Sequence, residues 1–327
     1  FSDQAIAASP ADRSKNTIRP EDHAFHDWYR FVLSYPPHLV RRYLAEFELS
    51  PGSAVLDPFS GTGTTVVEAK LAGLVGIGLE ANAFPHFAST VKTDWRIDAD
   101  SLLEHAEQAA DKALSVLQSQ GISDLPSGLI PDFPLRTLAP APEGILIKNS
   151  ISPLPLHKTL VLLDCLREQE SHPFFKYGLL ALGSALVNSI GNLRFGPEVG
   201  VGKKKKDAPV VVPWLADVRR MAEDIAAVRG QTYLDGRIHL ADSRSLRRVV
   251  AAHSIDAVIT SPPYPNEKDY TRTTRLESVV LGFISDKEQL RALKKTLIRS
   301  NTRGVYKEDQ DDAWVEGQSL IGTVEDV

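Results

Sequence analysis

One stretch constrains the fold of this chain more than any other. Residues 54–80, AVLDPFSGTGTTVVEAKLAGLVGIGLE, hold two short apolar runs joined by a glycine-rich loop and a helical segment. Residues 54–56 read as a short buried strand. Residues 64–71 have helical character and end at Gly73, and LVGIGLE reads as a second strand closing on the acidic Glu80. Strand, glycine loop, helix, strand is a βαβ unit, so the chain is expected to build a parallel sheet of the α/β class.

The loop suggests a ligand. Gly61 and Gly63 let a bound group approach the backbone and allow positive φ in a tight turn. The helix that follows offers free N–H groups and the positive end of its dipole. Three ligands compete. A phosphate-cradling loop needs Lys and Ser/Thr after the second glycine, where Thr64-Thr65 stands. A dinucleotide fingerprint wants a third small residue where Val66 stands. The third ligand is a nucleoside ending in an amino acid, which suits Asp57 for an ammonium and the glycine N–H groups for a carboxylate. Glu80, about 20 residues on at a strand end, suits the ribose hydroxyls. Asp242, at the end of RIHLAD, is a candidate acceptor for an adenine amino group, or simply a helix cap before Ser243.

Around this unit, residues 36–49 have helical spacing after a proline start. From Asp98 the character changes. An amphipathic acidic helix, a proline-rich connection over 124–156, helical stretches over 157–190, a Gly/Pro/Lys loop and a helix near 215–229 follow, without strand alternation. Strand-like text returns at 237–242 and 256–261. The expected organisation is one sheet domain from residues 1–97 and 233–327, interrupted by a mostly helical insertion over 98–232. Residues 1–20 read as a polar tail, and His23, His26, Trp28 and Tyr29 as a packing cluster.

Composition narrows the class. Of 327 residues, 43% are apolar and 24% charged, as in soluble globular proteins. No apolar run approaches the roughly 20 residues a membrane span needs, and no signal pattern opens the chain. Cys165 is the sole cysteine, which excludes an internal disulfide, fits a reducing cytoplasm, and is read as a core hydrophobe. The nine histidines show no metal-ligand spacing, so no metal is expected. The net charge of −5 leaves nucleic acid to local basic patches. One patch is Lys203, Lys204, Lys205 and Lys206. The other lies between Pro265 and Arg303, where nine Lys/Arg, Lys268 and Arg272 among them, stand against five Asp/Glu. Phe1 stands where an initiator methionine would, so the chain is expected to be a fragment of a longer protein.

A second feature is the turn TSPPY at residues 260–264, where a β-branched run meets two prolines and an aromatic ring. Its plainest reading is a strand stop, since proline donates no backbone hydrogen bond. Together, DPFSGTGTT and TSPPY resemble the S-adenosylmethionine (AdoMet)-dependent amino methyltransferases of DNA. The resemblance covers about 34–90 and 235–303. It implies a Rossmann-like AdoMet-dependent methyltransferase sheet, with double-stranded DNA as partner, base flipping, and a cytoplasmic, nucleoid-associated location.

By that resemblance Phe59, Gly61, Gly63 and Thr64 border the methionine part of AdoMet, Glu80 the ribose and Asp242 the adenine. Asp57, Pro58 and Thr65 complete the cofactor loop, and Pro37 opens a helix that helps hold the methionine moiety. Ser261, Pro262, Pro263 and Tyr264 form the catalytic pocket. Apart from the resemblance, Lys203, Lys204, Lys205, Lys206, Lys268 and Arg272 are candidates for DNA contact from their charge and position, or else solvated loop residues. Serine in the first place of the tetrapeptide points to N4 of cytosine, whereas Asp or Asn is commoner for N6 of adenine. The alternatives are N6 of adenine, a guanine amine in RNA, or a non-catalytic AdoMet- or DNA-binding subunit of a modification or defence complex. Methylation at cytosine C5 needs a Pro-Cys nucleophile, which is lacking. The chain departs from the family in three ways: the cofactor loop precedes the catalytic turn, the insertion is long, and no R-x-L-K-P-G-G strand pair follows residue 303. A second subunit or C-terminal segment is therefore expected to complete the sheet.

Overall fold

The computed structural model describes residues 18–30, 34–127, 131–196, 199–264 and 269–298. After two 3-10 turns come α1 (Pro37–Glu46), β1 (Ala54–Asp57), α2 (Thr64–Leu71), β2 (Val75–Glu80) and α3 (Ala83–Lys92). Next are α4 (Ala99–Ser119), α5 (Pro140–Glu143), α6 (Pro153–Arg167) and α7 (Phe175–Ala185), which widens into a π turn at Leu186–Ile190. The strands β3 (Leu193–Arg194) and β4 (Gly200–Val201) precede α8 (Val211–Ala227), β5 (Arg237–Leu240) and β6 (Ala257–Val258). The last helices are α9 (Tyr270–Thr273), α10 (Arg275–Val280) and α11 (Lys287–Thr296).

Four strands form one parallel sheet in the order β5-β2-β1-β6. The expected α/β class and parallel pairing are therefore present. Because all four run the same way, their carboxyl ends share one rim, which carries Asp57, Glu80, Leu240 and Val258. The chain goes from β1 to β2 on one side and returns as β6 on the other. That reversal beside β1 is the place where open α/β sheets bind ligands.

Glycines in β2 set how closely α2 lies on the sheet. A Cβ on Gly76 would come within 2.7 Å of a Val66 methyl, and one on Gly78 within 2.7 Å of Ser60 Oγ. Gly63, at φ 86°, caps α2 where a Cβ would meet Ser89 Oγ of α3. Beyond β2, helix α4 buries Leu102, Ala106, Ala109, Ala113 and Leu117 along one stripe. It joins Trp214 and Met221 of α8, together with Val67 of α2 and Phe84 of α3, in one apolar cluster. Trp28 and Tyr29 are buried in that cluster, as expected, and His26 is buried as well. Phe25 N and Trp28 Nε1 both donate to Asp224, 2.8 Å each. Cys165 is buried and free, as read from the sequence.

Two sequence expectations need correction. The 98–232 stretch is not free of strands, because β3 and β4 pair antiparallel. Two-residue strands are too short to show alternation. The strand expected over 256–261 is shorter, since the ladder on β1 covers only Val55↔Ala257 and Leu56↔Val258. Pro262 and Pro263 cannot donate to a ladder, which ends regular pairing ahead of them. Among the described residues β6 pairs on one side only, and Val258 is 52% exposed. No described helix is long and apolar enough to cross a membrane. The stretch after residue 303 and Lys268 lie outside the described residues.

Candidate active site

The carboxyl rim of the sheet opens into a cleft. Four chain segments make its walls: Ser34-Tyr35, the loop from Pro58 to Thr64, Glu80 to Asn82 with Pro85, and Ala241 with Ser243. The turn Ser261 to Tyr264 forms a further wall, with Tyr270 and the end of α11 beside it. The glycine loop and the double-proline turn, about 200 residues apart, thus face one space.

Glu80 is the acid of this cleft. Its carboxylate accepts from Gly61 N at 3.0 Å and Asn82 N at 2.7 Å. Desolvation pushes its pKa up to about 7, against the lowering effect of the Asn82 and Gly61 N–H groups. Gly61, at φ 52°, turns the loop so that its N–H meets the acid.

Asp57 lies elsewhere. It is fully buried and lines no part of the cleft. Thr260 Oγ1 and Phe59 N donate to its Oδ1 at 2.7 and 3.0 Å, and Tyr35 Oη donates to Oδ2 at 2.9 Å. Desolvation raises its pKa, while hydrogen bonds from Thr260, Phe59 and Tyr35 act to lower it. Internal donors thus engage the carboxylate expected to partner an ammonium.

Other expected residues divide in the same way. Pro58, Phe59, Gly61, Thr64, Glu80 and all of Ser261, Pro262, Pro263 and Tyr264 line the cleft. Pro37 is buried at the start of α1, and the lining comes instead from Ser34 and Tyr35. Gly63 acts through its backbone and its closeness to Ser89. Thr65 is buried and donates to the Ile259 carbonyl at 3.2 Å. Asp242 caps the 3-10 turn Ser243–Arg248 through Arg244 N and pairs with the Arg244 guanidinium at 2.6 Å. Its neighbours Ala241 and Ser243, not its carboxylate, reach the cleft.

Sequence reasoning missed Tyr35, Thr62 and Asn82. Tyr35 carried a signal, an aromatic directly before a Pro-Pro pair. Asn82 Oδ1 is buried without a hydrogen-bond partner while its Nδ2 donates to Thr274 Oγ1 at 3.1 Å. Nothing local in the sequence marks it.

Of the basic candidates, Lys203, Lys204 and Lys206 are exposed. Lys205 turns inward, with its Nζ donating to the Ser189 and Gly191 carbonyls at 2.6 and 2.8 Å. Asp207 next to them is pinned by the buried Lys158 at 2.7 Å. Arg272 Nη2 donates to the Val199 carbonyl at 3.4 Å, which ties this loop to the segment after the catalytic turn. Tyr264 is 55% exposed, and its N–H donates to Tyr270 Oη at 3.1 Å. No group of His, Cys, Asp and Glu among the described residues could hold a metal ion.

The fold and site define an α/β protein whose glycine loop and double-proline turn face one cleft at the carboxyl rim of a parallel sheet. Sequence comparison adds two matches. Residues 6–86 match the family model described as DNA methylase, of the N6/N4 type. The chain is 26% identical over 296 residues to the Type II methyltransferase M.BsoBI of Geobacillus stearothermophilus. That alignment covers 84% of this chain and 56% of the relative, so the chain spans about half the length of the curated relative it matches. No solved structure matches significantly. The matches support the DNA amino-methyltransferase family, whose members use AdoMet as methyl donor.

Proposed function

We propose that this chain carries the cofactor-binding and catalytic part of an AdoMet-dependent DNA methyltransferase acting on an exocyclic base amine, N4 of cytosine. The observation that carries the reading is the shared cleft, lined by both the glycine loop and the SPPY turn. Its donor set suits AdoMet: an acid at the end of β2 for the ribose hydroxyls, close backbone at Gly61, and the flat surfaces of Tyr35, Phe59 and Pro85. Bound there, AdoMet supplies a methyl group on a positively charged sulfur, an excellent leaving group.

The residues of the chain then do the rest. A base amine is a poor nucleophile because its lone pair is delocalised into the ring. Hydrogen bonds from its two N–H groups to Ser261 Oγ and the Pro262 carbonyl favour a pyramidal nitrogen with its lone pair directed at the cleft. The double proline holds that carbonyl rigidly and offers no competing N–H. Tyr264, largely exposed at the rim, offers a face for an extruded base. Holding the two reactants in line supplies much of the rate. Lys203, Lys204, Lys206 and Arg272 are read as phosphate contacts. A modification role in a restriction-modification system agrees with the relative's description.

A second reading, turnover only with a further segment or subunit, is favoured by the unpaired outer side of β6 among the described residues. The catalytic assignment is tested by Ser261→Ala and Tyr264→Ala, assayed for methyl transfer to DNA and for AdoMet binding. Ser261→Ala is expected to cost at least about 100-fold in kcat with AdoMet affinity unchanged. Wild-type turnover in both variants would remove SPPY from the mechanism.

A further inference from the structure

We propose that Asp57, Tyr35 and Thr260 form a positioning hub that sets the catalytic turn relative to the methyl-donor site, an inference that rests on the methyltransferase reading above. Three chain segments that shape the cleft meet on this one buried carboxylate: residue 35, the glycine loop through Phe59 N, and the end of β6 through Thr260. A fourth, the start of α2, joins through the Thr65 hydroxyl, which lies against Tyr35 Oη and donates to the Ile259 carbonyl.

Backbone pairing explains why a side chain is needed here. β6 lies on β1 through Val55↔Ala257 and Leu56↔Val258, and the last backbone bond is Ile259 N to the Leu56 carbonyl at 3.0 Å. The next bond that fixes the turn to the sheet is Thr260 Oγ1 to Asp57, and Ser261 follows at once. Thr260 is otherwise exposed, so its hydroxyl, not its packing, carries the contact. Tyr35 belongs to both sides, since it lines the donor cleft and donates to the same acid. A donor resting against Tyr35 therefore bears on the hub that holds Ser261. Burial raises the pKa of Asp57, and its three donors offset the cost of keeping the group in the interior.

These are positioning residues, because none of the three contacts described is to a reacting atom. The test compares Thr260→Val, which keeps shape and removes the hydroxyl, with Thr260→Ser, which keeps the hydroxyl. The chain is assayed for kcat on DNA, for AdoMet affinity by calorimetry, and for amide exchange across residues 257–264. Thr260→Val is expected to lower kcat by about tenfold or more, since misplacement of about 1 Å can cost about a hundredfold. AdoMet affinity should stay within about threefold, and Thr260→Ser should restore kcat. Wild-type kcat in Thr260→Val, or a serine variant as slow as the valine one, overturns the hub. If the wild-type chain methylates no nucleic acid, the methyltransferase reading fails separately. The exchange measurement then decides alone: faster exchange in Thr260→Val than in wild type and Thr260→Ser supports the hub, and equal rates in all three overturn it.

Discussion

Glu80 shows what a single residue contributes. It sits at the end of β2 with two backbone donors, yet its pKa is pushed up to about 7, because burial outweighs those bonds. Ribose hydroxyls donate to a carboxylate best when it is ionised, so the donor should select the charged form. The sign follows directly. The folded-state value stands above the ordinary 4.5, so the group tends to lose a proton on binding, and affinity rises with pH through about 7. Calorimetry between pH 6 and 8 should show AdoMet binding tighten by about tenfold, and Glu80→Gln should bind more weakly and lose the part of the pH dependence that Glu80 supplies. A wild-type profile no steeper than that of Glu80→Gln would contradict this role. The same shift makes the carboxyl a stability cost that grows as pH climbs from 4.5 toward about 7. Glu80 was legible in the sequence because its partners lie within the βαβ unit. The partners of Asp57 were not, since Tyr35 is 22 and Thr260 is 203 residues away.

At the scale of elements, the close packing of α2 on β2 holds the glycine loop at the rim. Gly76 is where that packing is tightest: an added Cβ meets the Val66 methyl at 2.7 Å and the Val66 backbone at 3.0 Å. Gly76→Ala should destabilise the fold by about 1–3 kcal/mol in urea unfolding. Adding Val66→Ala should recover part of that loss, so the double variant should cost less than the sum of the two. Additive losses would show that the contact is not what limits α2. The β1-α2-β2 unit was readable because strand, turn and helix signals are local. The β3-β4 hairpin and the two-residue β6 were not, because pairings so short leave no periodicity. The basic run 203–206 misled at Lys205 for a related reason: charge pattern does not reveal which ammonium finds carbonyls inside.

At the scale of the molecule, the strand order creates the site. The reversal beside β1 brings the glycine loop, read early in the chain, against a turn some 200 residues later, and neither alone specifies chemistry. The segment before Lys203, Lys204 and Lys206 is tied to the segment after the catalytic turn through Arg272 and the Val199 carbonyl. The central claim is methyl transfer to a base amine of DNA. Mass spectrometry of nucleosides, from DNA incubated with the chain and isotope-labelled AdoMet, tests it most directly. The account predicts labelled N4-methyldeoxycytidine. Labelled N6-methyldeoxyadenosine would contradict the cytosine assignment alone. Label at cytosine C5 would contradict the account as a whole, and AdoMet bound with no labelled base formed would contradict turnover by this chain alone.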